Sequence, residues 1–172
     1  MTLQHYGGGA LIAPDIVLTA GHTKPDRHSH VKPHVGTYSF QNDVKGVDYE
    51  EFEIVKAVRH ADWVYVDEDD YIRDFTILKL NGQSKHPLVK LNRDNHVPFV
   101  GQEVIAMGVG DYDPNPKKTK VSDVLRKVNL NAISNEECEL AHSDKRNLTY
   151  HNRIYPSMMC TTGGPHNERD SW

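Results

Sequence analysis

The chain has 172 residues, of which 37% are hydrophobic and 26% charged, enough to bury one large core or two small ones. Its net charge of −4 offers no basic footprint for nucleic acid. No apolar run approaches the length of a membrane-spanning helix, and Met1-Thr2-Leu3-Gln4-His5 does not read as a secretory leader, so neither a nucleic acid nor a membrane is an expected partner.

In chain order, short apolar and often β-branched segments cover residues 10–12, 16–19, 35–39, 52–58, 75–80, 89–91, 104–107, 128–132 and 158–161. Segments this short and this rich in Val, Ile and Thr predict strands rather than helices. Turn-forming breaks separate them, such as Gln41-Asn42-Asp43, Asp111-Tyr112-Asp113-Pro114-Asn115-Pro116 and Gly163-Gly164-Pro165. One helical turn is predicted at Ser134-Asn135-Glu136-Glu137, where a serine and a glutamate three residues on form a capping box. Many short strands without alternating helices indicate an all-β barrel or sandwich. A polar linker from His86-Pro87 to His96-Val97-Pro98 divides the chain into a first unit at 1–88 and a second at 89–172.

Two groups carry candidate chemistry. His22 follows the apolar strand Ile16-Val17-Leu18-Thr19, and Asp74 opens Asp74-Phe75-Thr76-Ile77-Leu78-Lys79-Leu80. Taken singly, the first reads as an ordinary exposed histidine and the second as a turn or cap residue. In the order histidine then aspartate they are two members of a nucleophilic triad, in which an imidazole takes a hydroxyl proton and a carboxylate orients it. The only cysteines, Cys138 and Cys160, make either one bridge or two separate buried thiols. His28, His30 and His34 crowd one loop but lack the spacing of recognised zinc sites. The acidic run Asp67-Glu68-Asp69-Asp70 lacks the glycine turn and terminal glutamate of an EF-hand and reads as a solvated loop, so no metal is expected.

Leu18-Thr19-Ala20-Gly21-His22 and Asp74-Phe75-Thr76-Ile77-Leu78-Lys79-Leu80 resemble the histidine and aspartate boxes of the chymotrypsin-like (trypsin family) serine proteases. Gly8-Gly9-Ala10-Leu11-Ile12 resembles the strand that precedes the histidine box, and Gly108-Val109-Gly110 stands where the family usually has Gly-Trp-Gly. Ile133-Ser134-Asn135 with Cys138, and Met158-Met159-Cys160, resemble the paired-cysteine region. Arg169-Asp170-Ser171-Trp172 resembles the opening of the block that carries the catalytic serine.

The resemblance implies two antiparallel Greek-key β-barrels, the second incomplete, with catalysis in the cleft between them. It implies His22 as general base and then acid, Asp74 as its orienter, and a Cys138–Cys160 disulfide. Asp170 would lie at the base of the primary specificity pocket, giving cleavage after Arg or Lys. Thr37 stands where an acidic calcium ligand would be expected, so calcium is not. Gly7 and Thr23 replace the two cysteines that the family bridges beside its histidine, a paired loss that suits a working protein.

The nucleophilic serine is expected beyond Trp172, and no Ile-Val-Gly-Gly-like segment is present to supply an activating amino terminus. This chain is therefore expected to be an inert fragment, truncated at both ends, of a serine-type endopeptidase. Expected partners are a protein or peptide substrate and protein inhibitors, with no cofactor, in an extracellular or secretory setting where the Asn147-Leu148-Thr149 sequon could be glycosylated. The alternative is a non-catalytic homologue that keeps the fold as a protein-binding module.

Overall fold

Alternation of side chains across one strand organises the first half of the chain. In Thr76-Ile77-Leu78-Lys79-Leu80, residues 76, 78 and 80 are buried and residues 77 and 79 are exposed, the period of two that a half-buried strand imposes. The computed structural model describes residues 6–23, 30–39, 49–67, 70–112, 120–143 and 148–163. These divide into two units, Met1–Leu91 and Asn92–Trp172.

The first unit contains β1 (Gly9–Ala13), β2 (Ile16–Thr19), β3 (His34–Val35), β4 (Glu50–Glu51), β5 (Ile54–Arg59), β6 (Val64–Asp67), β7 (Asp70–Ile72) and β8 (Thr76–Leu80). Four of them form an antiparallel sheet in the order β1-β2-β8-β5. Its buried face carries Leu11, Val17, Ile54, Leu78 and Leu80, against which Val35, Phe52 and Ala57 pack. The turn Pro14-Asp15 is held to the far end of β8 by backbone bonds from Leu80 N–H to Asp15 O and from Ser84 N–H to Pro14 O, and by the Lys79–Asp15 ion pair.

The second unit contains β9 (Glu103–Gly108), β10 (Arg126–Ile133), α1 (Asn135–Glu139), β11 (His142–Ser143), β12 (Leu148–Thr149) and β13 (Cys160–Thr162). The eight-residue β10 is the centre of a three-stranded sheet, β13-β10-β9. Leu130, Ala132 and Cys160 are buried there. Ser134 caps α1 as its sequence predicts, its hydroxyl accepting from Glu137 N–H at 3.1 Å. Cys138 on α1 and Cys160 on β13 are joined in a disulfide with a Cα–Cα distance of 6.2 Å.

The architecture is nearly all-β and antiparallel, with one five-residue helix among the described residues. Among the described residues neither sheet closes on itself; the two are incomplete barrels, accompanied by the two-stranded pairs β3-β4, β6-β7 and β11-β12.

Three segments differ from their sequence expectations. The strand over 35–39 stops at Val35, because Gly36 takes φ +86° and turns the chain against the His86 ring. Residues 89–91 form no strand; Val89 N–H donates to Leu11 O, yet the side chains of Val89 and Leu91 stay exposed, so nothing apolar extends the pairing. The ends of the acidic run, Asp67 and Asp70, lie in strands, while Glu68 and Asp69 between them lie outside the described residues. Asp67 and Asp70 close a hairpin whose strands are built from Val64, Tyr65, Val66, Tyr71 and Ile72, with Tyr65 opposite Tyr71 and their rings 5.5 Å apart. Aromatic and β-branched pairing outweighs the local charge.

Leu80, 2% exposed at the centre of the first core, sets a test of this packing. Leu80→Ala is expected to cost about 2–5 kcal/mol, read as a lower urea midpoint.

Candidate active site

β2 and β8 run antiparallel with Thr19 opposite Thr76. His22 lies three residues beyond the end of β2, and Asp74 two residues before the start of β8, so both leave the same end of the sheet. Arg73 holds φ +54° and Phe75 N–H donates back to Arg73 O at 2.8 Å. This tight reversal sets Asp74 apart from the regular strand, at a backbone cost of about 1–3 kcal/mol.

The two side chains meet. His22 Nδ1 is 2.6 Å from Asp74 Oδ2, and the His22 backbone N–H donates to Asp74 Oδ1 at 2.7 Å. A third donor, Trp63 Nε1–H, reaches the same Oδ1 at 3.1 Å. The histidine side chain is 47% exposed and the aspartate 24%. An imidazole accessible to a substrate is thereby backed by a largely sheltered carboxylate.

Burial disfavours the charged form of Asp74. The hydrogen bonds from His22 Nδ1, Trp63 Nε1 and the His22 backbone, with attraction to the imidazole, more than offset it, so the carboxyl lies below its ordinary value of 3.8. The pair can hold the imidazole in its Nδ1–H tautomer and stabilise the imidazolium after proton uptake.

Two aromatic neighbours were not among the candidates from sequence. Tyr71 stacks on His22 with ring centroids 5.3 Å apart, and Trp63 stacks on Tyr71 at 5.8 Å. The alternation of β-branched and aromatic residues on either side of the acidic run is the signal that could have revealed the hairpin presenting Tyr71. Nothing local marks Trp63, whose ring arrives through a turn closed by Trp63 N–H donating to His60 O.

Gly7 and Thr23 lie against each other. A Cβ on Gly7 would sit 3.9 Å from Thr23 Cβ and 3.0 Å from its Cγ2. The threonine methyl fills the space, while its hydroxyl donates to Ala20 O at 2.8 Å.

Elsewhere, His34 Nε2 lies 3.2 Å from Glu51 Oε2 and its ring stacks on Tyr49. Asp170 and the closing Arg169-Asp170-Ser171-Trp172 segment lie outside the described residues, as do Asn147, His28, Glu68 and Asp69.

The family model described as Trypsin matches residues 1–171. The chain belongs to the trypsin family. Glandular kallikrein of Sus scrofa is 25% identical over 172 residues, covering 93% of this chain and 65% of its own length. Glucanase inhibitor protein 2 of Phytophthora sojae is 32% identical over 163 residues, covering 92% of this chain and 49% of its own length. The chain thus spans about half to two thirds of the relatives it matches. A solved structure of neuropsin, a serine protease expressed in the limbic system of mouse brain, shares the fold with a TM-score of 0.73 at 21% identity, over 92% of this chain and 64% of that one. This chain holds a histidine and an aspartate in contact, and has Gly7 and Thr23 where the sequence resemblance leads one to expect cysteines.

Two predictions follow from this geometry. A carboxyl whose native pKa is depressed adds stability that is complete above its unfolded value, near 3.8, and is lost as pH falls through the lower native value. Asp74→Asn is therefore expected to flatten the acid limb of stability, measured as urea midpoints from about pH 5 down to about pH 2. Separately, the Cβ spacing at positions 7 and 23 suits a disulfide. The Gly7→Cys, Thr23→Cys variant is expected to oxidise in air, leave no free thiol by thiol titration, and gain about 3 kcal/mol for a loop of about 15 residues.

Proposed function

We propose that this chain is the histidine- and aspartate-bearing portion of a secreted trypsin-like serine endopeptidase. The observation that carries this reading is the 2.6 Å contact between His22 Nδ1 and Asp74 Oδ2, built at one end of the β2–β8 pair. With Nδ1 committed to the carboxylate, Nε2 is the atom that takes the proton as a serine oxygen attacks the scissile carbonyl, and later returns it to the leaving amine. Asp74 stays ionised throughout and stabilises the imidazolium between those two transfers. The nucleophilic serine, and the backbone donors that meet the developing oxyanion, are supplied from outside these 172 residues.

In this reading the first barrel spans 1–88 and the second 89–172, and Asp170 forms the floor of the primary specificity pocket. A carboxylate there is neutralised by an incoming Arg or Lys side chain, which selects substrates cleaved after basic residues. Peptide or protein substrates and protein inhibitors would share the same groove, and acyl transfer by this route needs no cofactor.

A second reading is favoured by the 32% identity to a protein named for glucanase inhibition. Inhibiting an enzyme requires binding it, so the same fold would serve here as a protein-binding module with no turnover of its own. The His22–Asp74 contact favours the first reading, because a binding surface gains nothing from a sheltered carboxylate behind an exposed imidazole.

The 172-residue chain alone is expected to remain unlabelled by a fluorophosphonate probe and to leave an Arg-containing peptide uncleaved. Stoichiometric labelling would overturn the placement of the nucleophile by showing that a serine within the chain is activated. The transcript immediately downstream of the Trp172 codon separates the two readings. Coding for a Gly-Asp-Ser-Gly-Gly-Pro-like block supports the endopeptidase, and a stop codon there supports the binding module.

A further inference from the structure

Asp74 Oδ1 accepts two hydrogen bonds of different origin. One comes from the backbone N–H of His22, on the loop that follows β2, and the other from the Trp63 side chain, eleven residues before Asp74. An indole nitrogen donates and never accepts, so this contact can serve only a charged or accepting partner. The ring is packed by two neighbours, with the Arg59 guanidinium carbon 4.4 Å from its centroid and Tyr71 stacked at 5.8 Å. A cation over the indole withdraws electron density and makes its N–H a stronger donor.

Space for this contact is made by a missing side chain. A Cβ on Gly21 would lie 2.8 Å from Trp63 Cδ1, 2.9 Å from Trp63 Nε1 and 3.0 Å from Asp74 Oδ1. Real Cβ atoms do not approach that closely, so any larger residue at position 21 would push the indole and the carboxylate apart. The residue immediately before His22 is thus the one that admits Trp63.

We propose that Trp63 is a positioning residue for the His22–Asp74 pair: its Nε1–H pins Oδ1, so that Oδ2 stays turned toward His22 Nδ1, with Gly21 as the gap and Arg59 as the cation that strengthens the donor. The proposal rests on reading His22 and Asp74 as an acid–base pair. The terminal torsion of an aspartate is broad and shallow. Beside the two contacts from His22 itself, the indole N–H is the donor independent of the histidine, and by adding a second bond to Oδ1 it narrows that torsion and leaves Oδ2 to select the Nδ1–H tautomer. Precision of this kind in a supporting residue is what keeps a reactive pair aligned.

The test replaces Trp63 alone with benzothienylalanine, which preserves the shape of indole but has sulfur in place of N–H. The readout is the ratio of Nδ1–H to Nε2–H tautomers of His22, measured by imidazole 15N NMR at about pH 8, where an ordinary imidazole is neutral. A role in packing alone would not move this ratio. Loss of one donor is expected to lower it about threefold to tenfold. Incorporating 5-fluorotryptophan, which keeps the N–H, is expected to leave the tautomer preference in place, and Gly21→Ala to lower it by displacing the ring. Arg59→Gln is expected to give a smaller fall, and no change there removes Arg59 from the arrangement. If Asp74→Asn collapses the ratio and benzothienylalanine leaves it unchanged, the proposal for Trp63 is overturned and the pair survives. If Asp74→Asn leaves the ratio unchanged, the pair itself is overturned, and Trp63 with it.

Discussion

A carboxylate partly withdrawn from water retains its charge only when donors replace the solvation it has lost. Asp74 meets that condition with three: the His22 backbone, the His22 ring and the Trp63 indole. The net result is a carboxyl that ionises more readily than an ordinary one, despite burial. The position of the imidazole, the closeness of Trp63 to Gly21 and the reversal at Arg73 all serve this one group. Remove any donor and the desolvation of the carboxylate is left less fully offset, which is why the site is better understood from Asp74 outward than from the more conspicuous histidine.

The sheet supplies the rigid base. Residues 22 and 74 are far apart in the chain, and bringing their ends together is an entropic cost that grows with loop length. Pairing of β2 with β8 meets it through a ladder of backbone bonds and a buried face of Val17, Leu78 and Leu80. Because side chains alternate along β8, a one-residue slip in register would turn Thr76, Leu78 and Leu80 outward and carry Asp74 away from His22. Core packing and site geometry therefore depend on the same register, and selection for one is selection for the other.

Family membership and chemistry stand at different distances from the observations. The fold and the trypsin-family match extend over almost the whole chain. The paired histidine and aspartate are local and geometric. Turnover, by contrast, is a proposal, and one relative of similar identity is named for inhibition rather than hydrolysis. Function is therefore argued from side chains rather than from the fold.

Much of this is legible in the sequence alone. The strands at 16–19 and 75–80 announced themselves because apolar β-branched residues have few alternatives, and Ser134 with Glu137 marked the helical turn because capping is a local hydrogen bond. The order of His22 and Asp74 was likewise written in the sequence. What it could not express were relations that depend on distance in space. The hairpin at Val64–Asp67 and Asp70–Ile72 is hidden by the acidic run in its sequence, since the cross-strand contact of Tyr65 with Tyr71 exists only after the chain has turned back. Trp63 looked like any tryptophan, and Gly21 like a small residue beside a motif. Only the tertiary structure decided that the two interlock over one carboxylate oxygen, because steric exclusion and hydrogen bonding act between neighbours in space, and residues 21, 63 and 74 become neighbours only through folding.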